Sequence, residues 1–522
     1  MVREVPSLPL QALGVAVVYA LMWAADNLAG GSYLDRPIVC CSLVGLLLGN
    51  FQAGLVMGGL MELAWMGFLS FAGVIDSEPR FGAVLGGFLA LRAGAASGLA
   101  ITLALPLAYL GGWLSARYND RVSREMNERC PAWADAGDLR SLCRFHLRVG
   151  MVKCGLMSAV ALVLAFVLAI PVGAIVGMLP GGTIAGMDAA VGLLLAVAVA
   201  MLVNLVWDPR FVQLFFAGLV MAAYLGFSVW FVAAFGLAVA LVWQWQGRKR
   251  PDGGPAALAA PETDSFSVRP AEMCRMFWRS MPLEISYNTE REHNLLYVFT
   301  LAPVLERLYG DDPDALAQAC RRHLEFMNTT PQIEPLVLGV TANLEAANAR
   351  SGNQMGEMVA AVKRMLMGPT GILGDNLFHS GGFRVVAACI GSAICAAGNP
   401  WGLLVYALLF NVPNYLAHWL GIRHGAELGT RVMEVIADSG ISQLAAEVGP
   451  ATCMACAGAL TACFVGLPGM WSKTIPALLM PWVSCALGWA CVWLTRKVSV
   501  NPTLLMAGIL VAGAVLGALD VI

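Results

Sequence analysis

The stretch CGLMSAVALVLAFVLAIPVGAIVGMLP, Cys154 to Pro180, carries no charge and is dominated by Leu, Ala, Val, Ile, Gly and Met. A helix of about 20 such residues spans the ~30 Å of bilayer hydrocarbon, whereas a soluble helix of this length needs a polar face. Further uncharged windows run Ala189 to Trp207, Phe211 to Trp243, Ile475 to Leu494 and Thr503 to Leu519. Leu10 to Ala25 and the broken apolar stretch Phe81 to Leu114 follow the same pattern. The whole chain agrees: its 522 residues are 58% hydrophobic and 13% charged, where a soluble protein carries about 25% charged residues. The sequence therefore predicts an all-α polytopic membrane protein.

Several functions are excluded. No P-loop, Gly-x-Ser-x-Gly or dinucleotide fingerprint is present, so nothing points to an ATP-driven pump. The six histidines show no metal-ligand spacing, and the single C-x-x-C, Cys453 and Cys456, lacks a second pair and reads as packing. No cofactor, metal or nucleic-acid partner is expected. A cleaved signal peptide is not expected either, because the first apolar run holds Asp26 and lacks a small-residue cleavage site.

The sharpest change in composition is QGRKRPDGGPAALAAPETDSFSVRP, Gln246 to Pro270, rich in Pro, Ala, Gly and charge and without periodicity. It reads as a flexible linker. It separates a membrane domain over 1–245 from a second unit over 271–522, which opens charged (271–384) and resumes membrane spans over 385–522. Basic residues cluster in the loop Ser115 to Lys153, at Arg248 to Arg250, and at Arg496 and Lys497. The positive-inside rule places all three in the cytoplasm and the C-terminus outside.

Polar residues inside apolar runs mark candidate sites, since an acid at mid-membrane costs about 2.5–3.5 kcal/mol on insertion scales. Asn50, Glu62, Asp76, Glu78 and Arg80 interrupt the glycine-rich stretch from Leu48 to Gly82. Glu62 reads as a functional acid, with Asp26 beside it as a candidate. Asp76, Glu78 and Arg80 are either ligands or an interfacial loop with its own ion pair. In FWRSMPLEISYNTEREHN, Phe277 to Asn294, residues Asn288, Glu290, Arg291, Glu292 and His293 are expected on about two helical turns. They form either a sugar site or a solvated face. Asn328 and Thr329 precede Pro331, a helix boundary. In MGPTGILGDNLFHSGGFR, Met367 to Arg384, the glycines and Pro369 predict a broken backbone. The freed backbone groups then need partners at membrane depth, which makes Asp375 and His379 candidates.

These stretches, with RRHLEFMNTTP, LGVTANLEAANA and RKVSVNPTLLMAGILVAG in the same order, resemble the enzyme IID component of the mannose family of the bacterial phosphoenolpyruvate:sugar phosphotransferase system. RPIVCCSLVGLLLGN, GLVMGGLMELAWMG and AITLALPLAYLGGWL resemble the family's IIC component, with NLVWDPRFVQLFFAGLV a weaker match. The resemblance implies a IIC–IID fusion. It also implies a multi-pass permease of the bacterial inner membrane, surrounded by lipid, with broken or re-entrant helices and elevator-type movement, assembled as a trimer. Separate IIA and IIB proteins would phosphorylate the emerging hexose, amino sugar or ketose. Carried over by motif, Glu62, Asn288, Glu290, Arg291, Asn328, Thr329 and Asp375 belong to the sugar site or its support. The chain departs from the family at Asn50 and Glu78 (Asp in relatives), Ser70 (Asn in some), Tyr287 and His379 (Trp) and Thr289 (an aromatic), which leaves the sugar open. Two alternatives remain: an ion-coupled transporter with Asp26, Glu62 and Glu78 as proton carriers, and a non-transporting membrane receptor.

Overall fold

A computed structural model describes residues 7–66, 77–95, 97–247, 268–282, 284–465 and 476–521. No strand forms among them, and eight helical segments are long and apolar enough to cross a membrane. The chain is a multi-pass helical membrane protein. Ser70, Asp76 and most of the expected linker lie outside the described residues.

The N-terminal half begins with α1 (Leu8–Asn27), α2 (Pro37–Leu47), α3 (Phe51–Trp65) and α4 (Pro79–Arg92). Proline in the first turn starts α1, α2 and α4, where its missing N–H costs nothing. Then come α5 (Ser97–Asp135) and α6 (Leu139–Met178). The basic segment expected as a loop is instead a helical hairpin, turned at Gly137 (φ 63°), with Asp138 capping α6 through the Ser141 N–H at 3.0 Å. Its charges are compatible with helix, as in the Glu125–Arg129 pair one turn apart. A 39-residue helix is about 60 Å long, so α5 extends beyond the hydrocarbon. After α7 (Gly181–Leu205), the uncharged window Phe211 to Trp243 is not one span. Gly226, left-handed at φ 69°, ends α8 (Val212–Leu225) before α9 (Val229–Gly247) returns.

The C-terminal half opens with α10 (Pro270–Ser280), α11 (Asn294–Tyr309), α12 (Pro313–His323) and α13 (Glu334–Arg350). Residues 284–293 are irregular rather than the two expected helical turns, and Glu292 adopts φ 52°. The buried Glu345 carboxylate is fully engaged. It accepts from Arg322 Nε and Nη2 at 2.8 and 3.0 Å and from the Tyr309 hydroxyl at 2.6 Å, and lies 2.8 Å from His323 Nε2.

Next is α14 (Gly356–Gly374), which contains Pro369 without stopping and continues as a π-turn over Asp375–His379. The break expected at Gly368 to Gly374 is therefore displaced to residues 380–382, where Gly381 has φ 93°. Near the proline, Thr370 donates to Leu366 O, and the Thr330 hydroxyl lies 2.9 Å from Gly371 O. The chain ends with α15 (Phe383–Ala396), α16 (Trp401–Leu428), α17 (Val432–Ser439), α18 (Ile441–Phe464), α19 (Met480–Arg496) and α20 (Pro502–Ala518).

The halves interlock through backbone-close crossings. A Cβ built on Gly186 would lie 2.1 Å from Gly513 O, and one on Gly517 would lie 2.2 Å from Gly182 O, so α7 and α20 touch along paired glycines. Gly458 of α18 meets Phe215 O of α8, and Gly59 of α3 meets Ser392 O of α15. Within lipid, such small-residue contacts replace a hydrophobic driving force that is absent there. Gly186→Leu is expected to destabilise the protein by about 1–3 kcal/mol or more through overpacking. Gly181→Ala, with nothing within 4 Å of its added Cβ, serves as the neutral control in the same thermal-unfolding assay in detergent.

Candidate functional site

The loop between α1 and α2 is irregular, buried in part, and holds Gly30 (φ 70°), Gly31 (φ 62°) and Tyr33 (φ 54°). A tyrosine at positive φ is strained and persists only where surroundings over-determine it. Those surroundings are α16. Tyr406 donates to Tyr33 O at 2.9 Å, Asn411 to Ser32 O at 3.1 Å, Asn414 to Gly30 O at 2.9 Å and Tyr415 to Ala29 O at 3.1 Å. The loop thereby forms one wall of a polar cavity of about 140 Å3. The N-terminal half contributes Asp26, Gly31, Tyr33, Asp35, Arg36 and Pro79, and the C-terminal half Glu284, Pro331 and Gln332. A larger crevice beside α9 is lined almost wholly by apolar side chains. The smaller cavity is where opposite charges and amides converge.

Among the expected site residues, Asp26 lines this cavity and accepts from the Tyr33 N–H at 2.9 Å. Glu62 stands behind it, buried, receiving Arg36 Nε at 3.0 and 3.3 Å. The pair thus joins Glu62 to a residue of the lining. Glu78 accepts from the Tyr19 hydroxyl and from Arg80 at 3.3 Å, and Arg80 also reaches Asp35 at 3.4 Å. The local ion pair considered for Glu78 and Arg80 is therefore present, and Asp35 extends it to the cavity wall.

His379 reaches the site through partners. Arg384 Nη1 donates to the Tyr33 hydroxyl at 3.0 Å, which lies 3.3 Å from His379 Nδ1, while His379 Nε2 lies 3.0 Å from Gln332 Oε1. An amide oxygen only accepts, so Nε2 carries the proton and Nδ1 receives the tyrosine's. The chain runs one way, from Arg384 through Tyr33 and His379 to Gln332. It leaves the Gln332 amide nitrogen without a partner among the described residues, as is Arg36 Nη2. Two orphaned donors and the carboxylates of Asp26, Asp35 and Glu284 therefore belong to residues lining one space.

The remaining expected residues lie elsewhere. The Thr330 hydroxyl, with its one proton, lies 2.8 Å from Asp375 Oδ1 and 2.9 Å from Gly371 O, and the Thr329 and Thr370 hydroxyls lie 2.9 Å apart, so Thr329 and Asp375 tie the turn before Pro331 to α14. Asn328 is exposed. Asn288 is buried and shapes its own turn, accepting from the Arg291 N–H at 2.8 Å and donating to Glu292 O at 3.1 Å. Arg291 reaches Leu324 O, and Glu290 accepts from Asn127 of α5. Asn50 caps α3 through the Ala53 N–H at 3.3 Å and is not among the residues lining the cavity. Tyr33, Asp35, Arg36, Glu284 and Gln332 were not singled out in sequence, although the charged pair Asp35–Arg36 sits just before an apolar helix.

Beneath the Asn288 turn, His293 Nδ1 lies 2.7 Å from Glu334 Oε2 in a buried pair. Burial alone would lower the imidazole, but the Glu334 carboxylate outweighs it and raises His293 to about 9. Because the folded value exceeds the unfolded value of 6.5, the pair's stabilisation is complete below about pH 6.5 and is lost as pH rises through about 9. Melting temperature in detergent should follow that fall, and His293→Gln should lower it at pH 6 and flatten the alkaline limb.

Residues 267–522 match the family model described as the PTS system mannose/fructose/sorbose family IID component, and residues 9–242 the model described as the PTS system sorbose-specific iic component. The chain is 32% identical over 255 residues to the mannose-specific EIID component of Escherichia coli K12, covering 46% of this chain and 89% of that protein. It is 27% identical over 259 residues to the fructose permease IIC component of Bacillus subtilis, covering 50% of this chain and 94% of that protein. A solved structure of the mannose transporter ManYZ with microcin E492 aligns with 48% of this chain and 96% of that chain, at 27% identity and a TM-score of 0.30.

Proposed function

Because the chain belongs to the mannose/fructose/sorbose family of phosphotransferase-system permeases, with IIC and IID components in one polypeptide, we propose that its sugar passes through the polar cavity between the two halves. The protein is a permease component, and phosphoryl transfer to the sugar is done by separate IIA and IIB proteins. We assign the IIC-like domain to 1–245, a cytoplasmic linker to 246–270 and the IID-like domain to 271–522, a division supported by the two family matches. By likeness to the family, the permease sits in the bacterial inner membrane as a trimer and moves its sugar by an elevator-like shift.

One observation carries the site: orphaned donors on Gln332 and Arg36 belong to the same cavity lining as the carboxylates of Asp26, Asp35 and Glu284. Sugar hydroxyls donate and accept together, so mixed donors and acceptors suit them better than a single-sign pocket does. Asp26, Arg36 and Gln332 are assigned direct contact. Glu62, Glu78 and His379 hold those groups in place, and Thr329 and Asp375 support the turn that presents Gln332. Asn288, Glu290, Arg291 and Asn328 are assigned to the surrounding scaffold, and Asn50 to helix capping. The relatives' names cover mannose, fructose and sorbose, so a hexose or ketose is the substrate class. The ion-coupled and receptor alternatives draw nothing from these matches.

Uptake of radiolabelled sugars into vesicles tests this reading. Transport should require phosphoenolpyruvate and a IIA/IIB pair, and deliver phosphorylated sugar. Uptake of free sugar without those partners would overturn it. Asp26→Asn should reduce uptake at least tenfold with little change in melting temperature. His379→Phe should raise the half-saturating sugar concentration roughly 2- to 10-fold, the loss of one neutral hydrogen bond's orientation.

A further inference from the structure

A second recess, of about 480 Å3, lies where α7 and α19 end. Trp207 enters it from the N-terminal half, and Trp489, Val492, Trp493, Arg496 and Lys497 from the C-terminal half. Trp207 packs edge-on to Trp489 at 6.0 Å, and the Arg496 guanidinium covers the Trp207 ring at 4.2 Å. Trp493 is 58% exposed, and Arg496 and Lys497 are exposed. Among the described residues neither cation has a carboxylate partner. Arg210, three residues beyond Trp207, is by contrast paired with Asp208 and Glu447. The Trp489 indole N–H also has no partner there.

Tryptophans on and beside apolar helices near where these end, with cations next to them, match the interfacial layer of a bilayer, where indoles meet headgroups and Lys and Arg meet phosphate. We propose that this groove binds the headgroup of an anionic phospholipid. Arg496 and Lys497 hold the phosphate, and the indoles lie against the glycerol and upper acyl chain. A free anion would gain from the two cations but not from three aromatic walls. Since the walls come from both halves, the bound lipid spans their junction.

The test uses the purified full chain in neutral detergent, titrated with phosphatidylglycerol, phosphatidylcholine or inorganic phosphate. Thermal unfolding and lipid retention by native mass spectrometry are the readouts. Phosphatidylglycerol alone should stabilise and be retained. The double variant R496Q/K497Q should need roughly 30-fold more lipid for the same shift, taking each cation near the surface at its usual worth. The charge-conserving R496K/K497R should behave as the parent. If the double variant fails to fold, the exposed single variant Lys497→Gln should still weaken binding roughly 5-fold. Equal stabilisation by phosphatidylcholine, equal response to phosphate (an adventitious ion only), or unchanged affinity in the glutamine variants would each overturn the proposal.

Discussion

One wall of the cavity depends on a loop whose carbonyls find partners in the other half of the chain. The backbone between α1 and α2 leaves helical geometry, and its carbonyls at Ala29, Gly30, Ser32 and Tyr33 would otherwise face an apolar interior. Each buried, unsatisfied polar group costs about 1–3 kcal/mol. In a membrane protein such backbone survives only where protein supplies partners. Tyr406, Asn411, Asn414 and Tyr415 on α16 do so, and the Gly30 N–H finds Met281 O at 2.9 Å. All five partners come from the C-terminal half. The wall carrying Asp26, Tyr33 and Arg36 is therefore shaped by the half that does not contain it.

The buried charges follow a related logic. Desolvating an ion costs several kcal/mol, and close pairing seldom returns more than that cost. Arg36 with Glu62, and Glu345 with Arg322, are thus poor devices for stability taken alone, and each has a different use. Glu345 engages four donors around one carboxylate and fixes α12 against α13. The Arg36–Glu62 pair leaves Arg36 Nη2 unpartnered at a residue lining the cavity. The first arrangement saturates a carboxylate, whereas the second leaves a donor at the cavity wall.

The class of fold was legible because uncharged runs of 20 or more residues admit few solutions. Chain breaks were less so. Gly226, left-handed at φ 69°, ends α8, yet Gly368, Gly371 and Gly374 stay helical within α14. Whether a glycine breaks a helix is decided by the backbone conformation that its three-dimensional surroundings impose, which the local sequence does not show. The site was half legible for the same reason. Asp26 and Glu62 stand out as acids among apolar neighbours, but Gln332 becomes a candidate only once His379 is seen to occupy its oxygen. Motif likeness drew attention to Asn288 and Asp375, which bond within or between turns, and to Asn328, which is exposed; none of the three lines the cavity.

The glycine seam between α7 and α20 has a consequence for how the fusion tolerates change. Residues 182 and 186 lie in one half and 513 and 517 in the other, so in a two-chain arrangement the seam's strength would set how often the partners meet. Here a covalent connection raises the local concentration of each half around the other, to the millimolar range for short flexible links. Association becomes unimolecular and the ratio of halves is fixed at one to one. Substitutions that would dissociate separate subunits should instead loosen a joint that re-forms on its own, leaving this interface freer to drift in sequence than its counterpart in paired chains.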